Sequence, residues 1–180
     1  MSNTPALELK DLQVQYTVRG IDRDVLRGIS LSIAPGEAYG LVGESGCGKS
    51  TILRILAGLE TPSSGFATVD GKDPQDLRKN HELGIAFQDS ALLPWRSVES
   101  NIKLPLEISG EELDPKVLAD IIKLVGLADV ADREVGEIPT GQARVVELAR
   151  ALMIQPTLLL LDEPASGQTE EETEQFGELL

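Results

Sequence analysis

The sequence predicts an α/β domain, and three observations predict it. Short apolar runs of strand length alternate with stretches of helical periodicity. A glycine-rich segment, "GESGCGKST" (43–51), sits between one such run and one such stretch. A second run, "TLLLLD" (157–162), is apolar enough for a buried parallel strand and ends in Asp162-Glu163.

The elements follow in order. "LELKDLQVQY" (7–16) and "ISLSI" (29–33) alternate as half-buried strands do. "APGE" (34–37) reads as a turn and "AYGLV" (38–42) as a short apolar strand. In "STILRILAGL" the residues Ile52, Ile55, Leu56 and Leu59 recur at helical spacing. "PSSG" and "DG" bracket the short strand "FATV" (66–69), and "LGIAF" (83–87) is another buried strand. Helical pattern runs from Ser97 to Asp129, punctuated by Pro105, Gly110 and Pro115. A helix over 142–153 presents Val145, Leu148, Ala149 and Leu152 on one face. No internal repeat or low-complexity linker interrupts the chain.

Composition excludes several classes. With 180 residues, 41% hydrophobic and 26% charged, the chain suits one globular domain with a core. A formal charge of −14 argues against nucleic acid as a partner, since neutralising phosphates takes clustered Lys and Arg. No signal peptide or membrane span is expected. The single cysteine, Cys47, excludes an internal disulfide framework and fits a reducing cytoplasm.

"GESGCGKST" fits G-x-x-x-x-G-K-[ST], with Gly43, Gly48, Lys49 and Ser50 in the fixed places. Glycines let backbone N–H groups turn inward on phosphate oxygens. The helix starting near Lys49 aims its positive end at the same oxygens. The whole loop, with Glu44, Ser45, Gly46 and Cys47 between the glycines, is therefore the expected nucleotide cradle. Lys49 adds a charge at the β- and γ-phosphates, Ser50 completes a Mg²⁺ shell, and Thr51 reaches the α-phosphate. A redox role for Cys47 is not needed to explain its neighbours. Asp162 and Glu163 emerge at the C-terminal end of a strand, where open α/β sheets bind ligands. They read as a metal-holding Asp and a general base, with a strand-capping pair as the competing reading.

The set resembles the ATPase subunit of ATP-binding-cassette (ABC) transporters of importer type, over essentially the full chain. "AFQDSALLPW" looks like that family's Q-loop, which makes Gln88 its glutamine, a sensor of γ-phosphate and Mg²⁺. "IPTGQARVVELARAL" (138–152) stands in the place of the family signature, usually written LSGGQ, with Pro139 and Thr140 for Ser-Gly. The resemblance implies a phosphate-loop (RecA-like) core, an N-terminal antiparallel β subdomain and a helical subdomain at about 90–150, within one domain over 1–180. It implies ATP and Mg²⁺ as ligands, with Ser50, Gln88 and Asp162 at the metal and Lys49, Gln88 and Glu163 catalytic. It implies a head-to-tail dimer in which Gly141 and Gln142 of one subunit cap the ATP of the other. Thr140 is expected to cap the signature helix or to replace part of the lost hydroxyl. Tyr16 is the candidate for stacking on adenine, against a strand-core tyrosine. Transmembrane permease subunits are the implied partners, a solute-binding protein an indirect one, and the inner face of the cell membrane the implied location.

Within the family the pieces diverge. "GEAYGLVGESGCGKST" resembles peptide importers, and "AFQDSALLPWRSVESNI" nitrate, sulfonate and taurine importers. "ELARALMIQPTLLLLDEP" resembles branched-chain amino acid and urea importers. This reads as a mosaic, natural or engineered, or as an under-sampled lineage. The D-loop position that is usually Asp is Thr169, and the one histidine, His81, precedes the Q-loop and cannot be the family's switch residue. The chain therefore reads as C-terminally truncated, with core strands missing and ATPase activity near background. Alternatives are a non-hydrolysing nucleotide-binding paralogue and a soluble non-transport member of the family.

Overall fold

The computed structural model describes residues 5–86 and 91–162. They fall into two compact units, Met1–Asn80 and His81–Leu180.

In the first unit, β1 (Leu7–Val18) lies between β2 (Ile21–Ile33) and β3 (Ser64–Val69), antiparallel to both. β1 and β2 join through Arg19-Gly20, both at positive φ (53° and 77°), the two-residue turn that matches strand twist. β1 buries Leu7, Leu9, Leu12 and Val14, which breaks strict alternation between positions 9 and 12. The register shifts there against both neighbours, and Asp11 takes φ 46° with its N–H on Ser30 Oγ at 2.9 Å. This bulge returns Leu12 to the core face. β2 begins eight residues before the run "ISLSI" because its first half, rich in Asp and Arg, is held by pairing rather than by burial.

Helix α1 (Lys49–Leu56) buries Ile52, Ile55 and Leu56. Leu59, expected on the same face, lies beyond the helix end and is half exposed, because Gly58 turns left-handed at φ 64°. Helix α2 (Pro74–Lys79) has no counterpart in the sequence reading, although its signals are present: Asp73 accepts from Gln75 N–H at 2.7 Å and Pro74 opens the first turn. The strand expected at Ala38–Val42 is not found. The segment has no ladder partner among the described residues, and Val42 is 98% exposed. Apolar composition marks a strand candidate, but only a paired neighbour makes one.

In the second unit, β4 (Leu83–Ala86) pairs in parallel with β5 (Leu158–Leu161), Leu83 opposite Leu158 and Ala86 opposite Leu161. The parallel strand expected at 157–162 is present, but only Leu160 of β5 is buried. Among the described residues the unit also holds helices α3 (Val98–Ile102), α4 (Leu104–Ser109), α5 (Pro115–Leu124) and α6 (Thr140–Leu152), with single 3-10 turns at Ala128–Val130 and Val135–Glu137. The expected punctuation falls at their boundaries: Pro105 opens α4, Gly110 closes it left-handed, and Pro115 opens α5. Side-chain caps come from Ser97 on Ser100 N–H and Asp114 on Lys116 N–H.

Helix α6 packs on β4 and on α3 and α5. The approach to β4 is close: a Cβ on Gly84 would stand 2.7 Å from the Ala151 carbonyl oxygen. Val146 and Ala149 are fully buried in one cluster with Val98, Ile102, Leu127 and Met153, and Leu148 is buried as well. Val145 and Leu152, expected on the buried face, are only half-buried. The buried face is broader than one stripe because partners sit on two sides, and it includes Glu147.

The loop before α3 is fixed by Asn101, which is fully buried. Its Oδ1 accepts from Leu93 N–H at 2.8 Å, and its Nδ2 donates to the carbonyls of Leu93, Arg96 and Ser97 at 3.0, 3.2 and 3.1 Å. Asn101→Ala strands these groups and is expected to destabilise the fold by about 1–3 kcal/mol in urea unfolding. A change inside the error of that measurement would contradict this role.

Candidate functional site

The glycine-rich loop opens directly into α1. Gly48 is the helix N-cap at φ 102°, a left-handed conformation that other residues enter only with strain. A Cβ there would also meet Leu26 Cδ2 at 2.6 Å. No side chain caps α1, and its first turn carries no acidic residue. The first-turn N–H groups are thus left to an external acceptor, at the positive end of the helix. Lys49 folds back over the loop, its Nζ donating to the carbonyls of Gly43 at 2.7 Å and Glu44 at 3.0 Å. Cys47 Sγ lies 4.0 Å from the same ammonium and is exposed. Glu44, Ser45, Gly46 and Ser50 are exposed as well, and Thr51 is half-buried. Backbone donors, a helix terminus and a tethered cation form one accessible anion seat.

Tyr16 stands beside this seat. It is 38% exposed, which sets aside a strand-core role. Its hydroxyl donates to the Glu60 carboxylate and lies against the Thr51 side chain. Partial burial first, then the Glu60 hydrogen bond and charge, push its pKa above the ordinary tyrosine value, while Thr51 and Arg54 act in the opposite direction. Glu60 is the neighbour of Tyr16 that sequence reasoning missed; no motif surrounds it.

In the second unit Asp162 follows β5 immediately and extends its ladder, with its N–H on the Ala86 carbonyl at 2.9 Å. Gly141 and Gln142 occupy the first turn of α6, whose N-cap is Pro139 in extended conformation. Thr140 does not cap the helix: it lies inside the first turn, and the N-cap, Pro139, makes no side-chain hydrogen bond. The Gln142 Oε1 is buried without a partner among the described residues. Gln88, Glu163 and Thr169 lie outside the described residues. His81 sits exposed in a turn at φ 59°, consistent with a solvated position.

Two residues expected at Mg²⁺, Ser50 in the first unit and Asp162 in the second, each carry chemistry that suits it. The Ser50 hydroxyl and the Asp162 carboxylate are hard oxygen donors, and Mg²⁺ commonly takes one or two protein ligands and fills its shell from phosphates and water. Among the described residues no group of three or more His, Cys, Asp or Glu gathers as an all-protein cage.

Residues 26–166, from β2 through the glycine-rich loop and the signature segment to just beyond Asp162, match the ABC transporter domain. The chain belongs to the ABC transporter family. It is 40% identical over 160 residues to the taurine import ATP-binding protein TauB of Pseudomonas aeruginosa, a match covering 88% of this chain and 60% of that protein. Identity to the aliphatic sulfonates import ATP-binding protein SsuB of Cupriavidus necator is 45% over 157 residues, covering 85% and 50%. With the lipoprotein-releasing system ATP-binding protein LolD 1 of Rhodopirellula baltica it is 36% over 183 residues, covering 97% and 80%. The chain therefore spans between half and three fifths of the length of the two importer subunits. A dimeric post-hydrolysis structure of the ATP-binding cassette MJ0796, bound to ADP and Pi, superposes with a TM-score of 0.84 at 26% identity, over 96% of this chain and 80% of that one. The α/β class and the ABC ATPase cassette fold read from the sequence are thereby established. Among the described residues no helix is long and apolar enough to cross a membrane.

Because its folded pKa is raised, Tyr16 contributes stability that is complete below the ordinary tyrosine value. That contribution is lost as pH rises through the folded value. Tyr16→Phe is expected to flatten the fall in stability above about pH 10. Unfolding midpoints measured from pH 8 upward on both proteins check this; parallel curves would rule it out.

Proposed function

We propose that this chain is the nucleotide-binding part of an ABC importer subunit, taking ATP at Gly43–Thr51 and coupling its hydrolysis to solute import. The observation that carries the proposal is the α1 terminus. Its donors have no side-chain cap, and Lys49 is held over the loop by two carbonyls. A triphosphate satisfies those donors and offers Lys49 a stronger partner than a carbonyl. Tyr16, beside Thr51, is assigned to the adenine ring.

For hydrolysis we assign Glu163 as general base and Gln88 as the residue that orients the attacking water. Ser50, Gln88 and Asp162 are assigned to Mg²⁺, which when bound neutralises charge between the β- and γ-phosphates. Gly141 and Gln142 are assigned to a second ATPase subunit's nucleotide, since the uncapped start of α6 offers donors of the same kind. Permease subunits, and through them a solute-binding protein, are the further partners, with the subunit peripheral on the cytoplasmic face of the membrane.

Import, rather than export or release, is supported by the identities of 45% and 40% to the sulfonate and taurine import proteins against 36% to the lipoprotein-releasing one. The solute class proposed is accordingly a small sulfonate. A second reading, a nucleotide-binding module that does not hydrolyse, is favoured by Pro139, which removes a hydroxyl donor from the helix start.

Thermal unfolding with and without MgATP tests the proposal. With ligand about a hundred-fold above Kd the midpoint is expected to rise by roughly 5–10 °C. Lys49→Ala should abolish the rise. A midpoint indifferent to MgATP would remove the nucleotide reading altogether. Binding without phosphate release, in the presence of a permease partner, would select the second reading.

A further inference from the structure

One buried carboxylate and one half-buried guanidinium are not used by the assignments above, and both grip the same residue. Glu147, in the middle of α6, is 3% exposed. Its Oε1 accepts from the Ala91 N–H at 3.2 Å and its Oε2 from Arg144 Nη1 at 2.9 Å. One turn further on, Arg150 donates from Nη1 to the Ala91 carbonyl at 2.8 Å. Both backbone polar groups of Ala91 are therefore held by side chains of α6. Arg150 is sufficiently withdrawn from water that burial lowers its pKa, with the Glu147 charge opposing that effect.

Ala91 begins the loop that runs to Ser97, three residues after Gln88 in the sequence. The far end of the loop is fixed by Asn101 of α3, through Leu93, Arg96 and Ser97. Trp95, 68% exposed and the one tryptophan of the chain, lies between Leu93 and Arg96, both of which Asn101 holds. A loop held at these points cannot shift against α6 and α3 without leaving the buried Glu147 carboxylate or the buried Asn101 amide short of its partners. Helix and loop have little choice but to move together.

We propose that Glu147 and Arg150 are positioning residues that clamp the Ala91–Ser97 loop to α6, so that displacement of the signature helix is carried to the loop bearing Trp95 and the reverse. The coupling role rests on the reading that the start of α6 meets nucleotide; the clamp itself does not. Neither residue is among those assigned to nucleotide, so losing either should uncouple the loop while leaving MgATP binding intact.

Hydrogen exchange by NMR and Trp95 emission on the full chain test this. Without nucleotide, Glu147→Ala and Arg150→Ala are expected to speed exchange of the Ala91 and Leu93 amides by about tenfold or more, with the α5 amides unchanged as the control for folding. Glu147→Gln, which can still accept from the Ala91 N–H, should keep most of the protection. Unchanged exchange in both alanine variants overturns the clamp. With MgATP, the wild-type chain should show a change in Trp95 emission that Arg150→Ala loses, while the MgATP-induced rise in unfolding midpoint persists. An undiminished emission change in Arg150→Ala overturns the coupling. A wild-type midpoint that MgATP does not move overturns the phosphate-loop reading and the coupling with it, and the exchange rates alone then decide the clamp.

Discussion

Burial of α6 between β4 and the α3 and α5 helices is the constraint on which the second unit depends. A helix packed on two sides has little room for polar residues, and Val146, Leu148 and Ala149 fill the space that β4 and α3 leave. Gly84 has no side chain because the α6 backbone passes where one would be. The same packing sets the register of β4 against β5, since a slip by one residue would exchange the faces of Ile85 and Gly84. From that register Asp162 emerges at the end of the ladder.

Helix starts in this chain are of two kinds. At α2, α3 and α5 an Asp or Ser side chain accepts from the first turn, and the end is chemically closed. At α1, α4 and α6 the N-cap is Gly48, Lys103 or Pro139, and none makes a side-chain cap; α4 follows directly on α3 through Lys103. Capping is easy to evolve and contributes about 1 kcal/mol, so leaving an end uncapped forgoes stability. At α1 the loss is matched by a tethered cation and a run of glycines, and the combination leaves a ready seat for anionic oxygens.

Much of this was legible in residue order. The phosphate loop is a contiguous motif, so its residues, its helix and its position after an apolar run could be read directly. Pro105, Gly110 and Pro115 punctuate the helical region because each acts through its own backbone. What was not legible depends on partners far apart in sequence. Ala38–Val42 has the composition of a strand, but no ladder neighbour among the described residues. The bulge at Asp11 needs β2 and β3 to reveal it. Glu60 lies 44 positions from Tyr16 and Ala91 56 positions from Glu147, so no spacing rule could join them. Periodicity placed Val145 and Leu152 on the core face and passed over Glu147, because a helix with two packed sides no longer follows a single stripe.

Glu147 also shows why a buried charge need not be explained by stability. Removing a carboxylate and a guanidinium from water costs more than their attraction usually returns, and well-packed apolar residues in their place are often as stable or more so. Neighbouring positions on α6 are already apolar, so packing alone would favour the same here. What an apolar pair could not do is satisfy Ala91. Its N–H and C=O both meet side chains of α6, the N–H at Glu147 Oε1 and the C=O at Arg150 Nη1, although Ala91 itself is exposed. A carboxylate and a guanidinium three residues apart on α6 supply an acceptor and a donor for the N–H and C=O of one residue, which no pair of aliphatic side chains can reproduce. The charge cost is therefore attached to directionality: it fixes which residue of the loop faces α6.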